Sequence, residues 1–283
     1  MNLISSLERA KVLDRLAGPG QRAARLLPPG KVRDALHGVW LGHPLHPVLA
    51  QVPVGTWLSA SLLDAWPGSA PGTAAASRRL VLAGLAAAVP AALAGSADWS
   101  ELHEQQMRVG VVHALANTAA VVLYAASAAA PERAARSWRL AGLTAAAAGG
   151  ILGGRLAFRQ SAGANQAEPV PHLTEPGWHD LMPAAELAGL PSGQPARRLL
   201  GDIPVVVIRD DQGVYVLADR CSHLSGPLSE GEYRDGCLTC PWHGSTFRVS
   251  DGTVARGPAT APQPTFRTRI TGGFLQVCLP GAG

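Results

Sequence analysis

The sequence predicts a two-domain protein, with an N-terminal all-α transmembrane four-helix bundle and a C-terminal all-β domain. Nearly uncharged runs rich in Ala and Leu fill the chain before residue 160, and short β-branched runs separated by turn residues follow residue 177. Only 16% of the 283 residues are charged, whereas soluble domains average about 25%. The composition therefore favours lipid as a partner. The net charge of +4 is mild and its Arg residues are scattered, which excludes a nucleic-acid binding stripe.

Four apolar runs predict the membrane helices. They cover residues 35–63, 80–97, 109–130 and 140–159. A spanning helix needs about 20 apolar residues. Four Ala-rich helices of a soluble core are the alternative, but they would show polar stripes at helical spacing, which these runs lack. In the last run "GGILGG" pairs Gly149 with Gly153 and Gly150 with Gly154, a spacing typical of closely packed membrane helices.

The changes in composition predict the domain limits. We expect an amphipathic N-terminal segment at 1–34 without a signal-peptide pattern, the membrane domain at 35–159, a linker at 160–176 and the β domain at 177–283. Five β-rich runs, at 204–210, 214–220, 246–250, 266–270 and 274–279, predict antiparallel strands, with turn signals between them.

The first half resembles an uncharacterised bacterial family of four-helix membrane proteins. "GHPLHPVLAQVPVGTWLSASLLD" at 42–64, "GSADW" at 95–99 and "GGRLAFR" at 153–159 carry the resemblance. It implies a multi-pass protein of the cell membrane and no known chemistry. The family commonly has His where this chain has Arg155. The distribution of Arg and Lys favours a cytoplasmic C-terminal half, although "SRRLVL" at 77–82 resembles a twin-arginine export signal, which favours the opposite side.

Two short segments of the second half combine cysteine with histidine. "CSH" supplies Cys221 and His223, and "CPWH" supplies Cys240 and His243. All four cysteines lie in the last quarter of the chain, and two of them stand beside histidines. Clustered Cys and His favour metal binding over two disulfides. We expect Cys237 and Cys278 to be small buried side chains of apolar strands.

The spacing Cys-x-His…Cys-x-x-His, with "GPLSEG" after the first pair and "GSTF" after the second, resembles the Rieske iron–sulfur domain. The resemblance implies a [2Fe–2S] cluster with Cys221 and Cys240 on one iron and His223 and His243 on the other. A structural zinc site is the alternative, but its ligands usually come in like pairs along the chain. Ser245 matches a Ser whose hydroxyl contacts the cluster in respiratory Rieske proteins.

The same resemblance implies a reduction potential between those of respiratory Rieske proteins and ferredoxins. Gly226 and Trp242 stand where the respiratory proteins have a disulfide, and Phe247 stands where they have a Tyr that also contacts the cluster. Of the two side chains whose hydroxyl groups bind the cluster in the respiratory proteins, this chain retains only the serine, Ser245. Hydrogen bonds to the sulfurs raise the potential.

These observations predict a membrane-tethered one-electron carrier that serves a redox partner protein: a reductase, an oxygenase or a quinone-linked complex. Whether it is an enzyme stays open, since the sequence shows no flavin or nicotinamide motif and the 40 residues after His243 are too few for a mononuclear-iron oxygenase domain. The alternative is a helical bundle with its own haem or quinol site. That alternative rests on His43, His46, His103 and His113 near or within apolar runs, and Arg155 weakens it. A redox sensor is the third possibility.

Overall fold

A computed structural model describes residues 6–66 and 71–280. The chain divides into two compact units, a helical unit of residues 1–28 and 44–162 and a β unit of residues 29–43 and 163–283. The chain therefore passes between the units three times, whereas the sequence predicted a single linker. The outermost residues of the predicted domain limits, 1–5 and 281–283, lie outside the described residues.

Five helices form most of the helical unit. They are α1 (Asp14–Ala24), α3 (His46–Ala65), α4 (Thr73–Trp99), α5 (Glu104–Ala129) and α6 (Glu132–Gly154), while α2 (Lys31–His37) belongs to the β unit. A π-helical turn, Arg155–Arg159, continues α6. Helix α3 packs mainly against α4, and α5 packs mainly against α6, with smaller contacts between α4 and α5 and between α3 and α6.

Three helices match predicted membrane spans in length and composition. Thr73–Trp99, Glu104–Ala129 and Glu132–Arg159 are long and apolar enough to cross a membrane. The remaining predicted run, 35–63, which is the first in the chain, is divided instead. Helix α2 ends where Gly38 adopts φ 84°, Gly42 has φ 80°, and α3 begins only at His46. Left-handed glycines end helices, so the glycines of this run interrupt what its apolar composition predicted to be continuous.

Charged side chains of the helical unit are paired near the helix ends. Arg139, 1% exposed, binds both Asp64 and Glu132. Arg108 Nε donates to Asp14 Oδ1 at 2.7 Å. Buried charges are tolerated when they are paired and hydrogen-bonded. These pairs explain how a chain with apolar helices accommodates its few ionised groups.

One of the two predicted glycine pairs in "GGILGG" is used for close helix packing. A Cβ atom on Gly149 would lie 2.7 Å from the Asn117 side chain, and one on Gly153 would lie 3.2 Å from His113, both on α5. A Cβ on Gly150 would meet nothing within 4 Å. Helix α6 therefore turns Gly149 and Gly153 towards α5.

The β unit contains ten described strands in two antiparallel sheets. They are β1 (His179–Pro183), β2 (Ala196–Leu200), β3 (Ile203–Arg209), β4 (Val214–Ala218), β5 (Glu232–Arg234), β6 (Cys237–Thr239), β7 (Thr246–Arg248), β8 (Val254–Arg256), β9 (Thr265–Thr271) and β10 (Phe274–Cys278). The first sheet has the order β1-β10-β9-β4-β3-β2, and the second has the order β5-β6-β7-β8. All five predicted strands are present. The five predicted runs do not include β1, β2, β5, β6 and β8, each of which has five residues or fewer.

Strand β3 lies at the centre of the β unit. Val205 and Val207 enter one hydrophobic core, whereas Val206 and Ile208 enter the other. Both faces of the strand are thus covered, which explains the unbroken apolar run "PVVVI". Cys237 and Cys278 lie in strands as predicted, but both are only half-buried.

The predicted linker is partly ordered against the β unit. Gln166 N–H donates to Ser222 O at 2.9 Å, and Ala167 is fully buried. Short helices α7 (Val170–Leu173) and α8 (Ala184–Ala188) follow, and Val170 joins the core. The small residues and prolines of this segment predicted a tether. Composition alone does not show which of these residues are buried.

Candidate metal centre

Two loops with the same backbone hydrogen bonds carry the predicted ligands. The first loop follows β4, and Cys221 N–H donates to Gly226 O at 2.9 Å. The second loop joins β6 to β7, and Cys240 N–H donates to Ser245 O at 2.8 Å. Each cysteine thus closes a loop on the residue five positions later.

A second hydrogen bond is also common to both loops. Ser225 N–H donates to Cys221 O at 2.9 Å, and Gly244 N–H donates to Cys240 O at 3.1 Å. Both donor residues are left-handed, with φ 64° at Ser225 and 75° at Gly244. Ser225 takes this conformation despite its side chain, a cost that surrounding structure must offset. The repeated geometry presents both cysteines in the same way.

The two thiols contact each other in a buried environment. The Cys221 thiol donates a hydrogen bond to Cys240 Sγ, which lowers the pKa of Cys240 to about 7, with help from the N–H groups of Trp242 and His243. The same bond and burial raise the pKa of Cys221. Backbone N–H groups of His223 and Leu224 surround Cys221 Sγ. Such donors stabilise thiolate sulfur, and in the pair as it stands the thiolate is favoured at Cys240 and disfavoured at Cys221.

The two predicted histidine ligands form a second pair. The ring centres of His223 and His243 are 5.0 Å apart, and the ring planes are nearly perpendicular at 87°. Both side chains are partly exposed, whereas both cysteines are buried. Across residues 6–66 and 71–280, no three Cys, His, Asp or Glu side chains are placed to hold a single metal ion.

Residues 257–263, the bridging segment, connect the two loops. Ala259 N–H donates to Ser245 Oγ at 2.9 Å in the second loop. Ser222 of the first loop donates through Oγ to Ala261 O at 2.8 Å and through N–H to Gln263 Oε1 at 3.1 Å. The bridging segment therefore fixes each loop relative to the other.

Gln263 is the buried polar residue that holds the first loop in place. It is 2% exposed, and its Nε2 donates to Ala218 O at 2.8 Å and to Arg220 O at 2.7 Å. Asp219 stabilises the same loop by accepting hydrogen bonds from Ser229, and burial raises the pKa of its carboxyl group. Sequence reasoning missed both residues, because only the fold shows that they are buried.

Residues 29–43, the N-terminal strap, contact the bridging segment within the β unit. Gly257 N–H donates to Asp34 Oδ1 at 3.0 Å. A Cβ on Gly257 would lie 3.0 Å from Val39 and 3.5 Å from His37, which is 2% exposed. The sequence predicted residues 35–43 to be part of a membrane helix. They instead support the segment that connects the two ligand loops.

Ser245 and Phe247, the two residues of the predicted tuning of the potential, are both buried. Ser245 is fully buried, and because its Oγ accepts the Ala259 N–H, the hydroxyl proton remains available for donation. Phe247 is also fully buried and belongs to the hydrophobic core that contains both Cys221 and Cys240.

Comparison with known proteins identifies the β unit. The model of the Rieske [2Fe–2S] domain family matches residues 177–267. The ferredoxin subunit of anthranilate 1,2-dioxygenase from Burkholderia cepacia is 33% identical over 100 residues, which are 35% of this chain and 90% of that relative. The chain belongs to the Rieske [2Fe–2S] domain family.

Two further proteins that match the Rieske domain also have the words dioxygenase and ferredoxin in their descriptions. The ferredoxin subunit of 3-phenylpropionate/cinnamic acid dioxygenase from Escherichia coli is 33% identical over 101 residues, 35% of this chain and 93% of the relative. A chain from the complex of reduced oxygenase and oxidised ferredoxin in carbazole 1,9a-dioxygenase is 29% identical, with a TM-score of 0.32, and the match covers 36% of this chain and 92% of that one.

The residues of the Rieske domain fit a [2Fe–2S] cluster. A Rieske cluster takes two protein ligands on each iron, Cys on one and His on the other. The two loops offer a thiol pair and a separate imidazole pair. A Cβ on Gly226 would lie 2.8 Å from Cys240 Sγ, so the absence of a side chain at this position keeps space next to the sulfur.

Proposed function

We propose that the protein is a membrane-tethered one-electron carrier with Cys221, His223, Cys240 and His243 as the ligands of its Rieske cluster. The thiol pair and the imidazole pair, presented by two loops with equivalent hydrogen bonds, carry this proposal. A bound cluster supplies reversible transfer of one electron. The imidazoles are partly exposed whereas the thiols are buried, which supports an approach of the partner protein from the histidine side.

A partner of the oxygenase or reductase class is favoured by the relatives. Two ferredoxin subunits of dioxygenases share a third of their residues with the Rieske domain. A quinone-linked complex is the other partner class. Trp242, 49% exposed, lies beside His243 with ring centres 6.4 Å apart. Exposed aromatic side chains are frequent at interfaces, so Trp242 is a candidate contact for the partner.

Membrane attachment is proposed for the helical unit. Its three long apolar helices, α4, α5 and α6 with its π-helical turn, support the attachment by their length and composition. Helix α3, which packs against α4, would complete a four-helix bundle. The distribution of basic residues favours a cytoplasmic Rieske domain.

Cell fractionation combined with electron transfer tests the proposed function. We expect the full chain in the membrane fraction, with an EPR signal of the reduced cluster that disappears when a purified dioxygenase component or a quinone analogue is added. Redox titration should give one electron per cluster. Recovery of the chain in the soluble fraction contradicts the tether, and a cluster that none of these acceptors oxidises contradicts the carrier.

Ser245→Ala is expected to lower the reduction potential. Loss of one hydrogen bond to a cluster sulfur is worth about 1–2 kcal/mol, or roughly 40–90 mV for one electron. Phe247→Tyr is expected to raise the potential, because it adds a hydroxyl group to the core around the cysteines. Protein-film voltammetry measures both shifts. Ser250→Ala, at an exposed position a few residues along the chain, is the matched control. An unchanged potential in Ser245→Ala removes Ser245 from the site.

A second candidate function is favoured by one observation. His46 and His113 of the helical unit have their ring centres 6.1 Å apart. This pair supports a redox group of the helical unit itself, in addition to the cluster of the Rieske domain.

A further inference from the structure

The helical unit contains two hairpins, α3–α4 and α5–α6, with matching residues at matching positions. His46 on α3 corresponds to His113 on α5. Trp57 follows His46 by eleven residues, and Tyr124 follows His113 by the same eleven. Eleven residues are about three helical turns, so in each hairpin the histidine and the aromatic residue lie on one face of their helix.

Glycines on the second helix of each hairpin show the same correspondence. In the first hairpin a Cβ on Gly95 would lie 2.8 Å from His46, and one on Gly84 would lie 2.3 Å from Trp57. Gly84 and Gly95 are also eleven residues apart. Each large ring therefore lies directly against the backbone of α4.

The second hairpin repeats this arrangement. A Cβ on Gly153 would lie 3.2 Å from His113, and one on Gly142 would lie 2.8 Å from Tyr124. These glycines are again eleven residues apart. The hairpins are thus structural repeats, and the corresponding residues of the two repeats meet in pairs.

The two pairs have different geometries. Trp57 and Tyr124 are buried and stacked, with ring centres 4.4 Å apart and planes at 15°. His46 and His113 have ring centres 6.1 Å apart and planes at 85°. Imidazole nitrogens bind metals such as zinc at about 2.0–2.1 Å, so two imidazoles on opposite sides of one metal have ring centres roughly 6 Å apart. The separation of the histidines therefore suits a shared metal.

The hydrogen bonds of the two histidines are also equivalent. His46 Nδ1 lies 2.8 Å from Ala91 O, and His113 Nδ1 lies 2.8 Å from Gly149 O. A carbonyl oxygen only accepts, so each Nδ1 carries the proton and each Nε2 is the acceptor nitrogen. Metal-binding histidines commonly have this arrangement, because the carbonyl fixes the tautomer and the orientation of the ring. Asn117 Nδ2 lies 3.3 Å from Nε2 of His113, so this amide has to move when a metal binds there.

We propose that His46 and His113 are the two axial ligands of a haem in the helical unit. This goes beyond the carrier function of the Rieske domain, since all residues of the haem site belong to the helical unit. Two protein ligands suffice for a haem iron, because the porphyrin provides the other four nitrogens. A bare divalent ion needs more protein ligands, and among the described residues no third Cys, His, Asp or Glu is placed to share an ion with this pair.

The helices around the pair suit the apolar ring of a porphyrin. Helices α4, α5 and α6 are apolar. Arg155 binds Glu8 at 2.6 Å and is not needed as a ligand.

The haem content of the full chain tests the proposal. The chain is purified in detergent from the membranes of cells supplied with a haem precursor, and the pyridine haemochrome assay is expected to find one haem per chain. His46→Asn and His113→Asn are expected to lower the haem content at least about tenfold. Asparagine places an amide N–H near the position of Nδ1, so the bond to the carbonyl can persist while the metal ligand is lost.

Two further variants separate ligation from folding. His113→Met is expected to retain haem with a shifted absorption spectrum and a higher haem potential, because Met is also an axial ligand. His172→Asn, an exposed histidine of the β unit paired with Glu168, is expected to change nothing. The EPR signal of the cluster should persist in all four variants, so a failed haem site and a failed Rieske site are distinguishable.

Three results overturn the proposal. The first is a full chain that contains no haem and binds none in a titration with hemin. The second is equimolar copper in place of iron porphyrin. The third is an undiminished haem content in both asparagine variants.

Discussion

Cys240→Ser is expected to leave the protein without its [2Fe–2S] cluster. A cluster iron held by two protein ligands loses one of them when the thiolate becomes a hydroxyl group. Even changes to residues that only support metal ligands commonly cost about 10–100-fold in affinity, and a direct ligand is expected to matter more. In this chain Cys240 is 2% exposed and contacts Cys221, so no other described side chain can take its place without rearrangement of the loop.

Iron and acid-labile sulfide analysis of the purified chain measures this effect. We expect near-equal iron and sulfide in the unmodified protein and almost none of either in Cys240→Ser. Cys237→Ser is the matched control, since Cys237 is a half-buried residue of β6 outside the ligand set, and it is expected to keep the cluster. Zinc without sulfide in the unmodified protein would contradict the proposed ligand set.

The candidate ligands could be predicted from sequence because they are local. Each loop needs only a cysteine, a histidine two or three residues later and small residues around them, and all of these are visible in "CSH" and "CPWH". The strands β3 and β4 were predictable for a similar reason. Their apolar residues are consecutive, and burial on both faces needs no further information.

The supports of the ligands could not be predicted in this way. Gln263 accepts a hydrogen bond from Ser222 of the first loop, 41 residues earlier in the chain. Asp34 accepts one from Gly257, 223 residues later in the chain. A glutamine between two prolines and an aspartate in a charged N-terminal segment have ordinary surface composition. Their roles follow from burial and long-range pairing, which depend on the tertiary fold and not on local propensity.

The helical unit shows the same limit in a different form. Its histidines were noticed because ionisable residues are costly within apolar runs. Composition did not show that His46 faces His113. The match depends on equal spacings in two hairpins whose first helices begin at His46 and Glu104, 58 residues apart, and whose histidines are 67 residues apart. The π-helical turn at Arg155–Arg159 and the division of the first apolar run were equally invisible to a count of apolar residues.

Gly226→Ala is expected to be the most damaging change outside the ligands. A Cβ at this position would lie 2.8 Å from Cys240 Sγ and 3.1 Å from two atoms of the Trp242 ring. The backbone of Gly226 cannot easily withdraw, because its carbonyl oxygen accepts the N–H of Cys221. The added methyl group must therefore displace the Cys240 sulfur, and overpacking of this kind costs about 1–3 kcal/mol in folding alone.

Cluster content and thermal unfolding of the full chain measure the effect of Gly226→Ala. We expect most of the cluster to be lost and the unfolding temperature of the Rieske domain to fall. Gly189→Ala is the matched control, because its Cβ would meet its nearest neighbour, Glu186 O, at an ordinary 3.4 Å. The double variant Gly226→Ala/Trp242→Ala identifies the cause. It removes the contact with the ring and keeps the contact with the sulfur, so it should remain deficient. Recovery of the cluster in the double variant would assign the damage to Trp242, and a full cluster in Gly226→Ala would show that the loops are less closely packed around Cys240 than their hydrogen bonds imply.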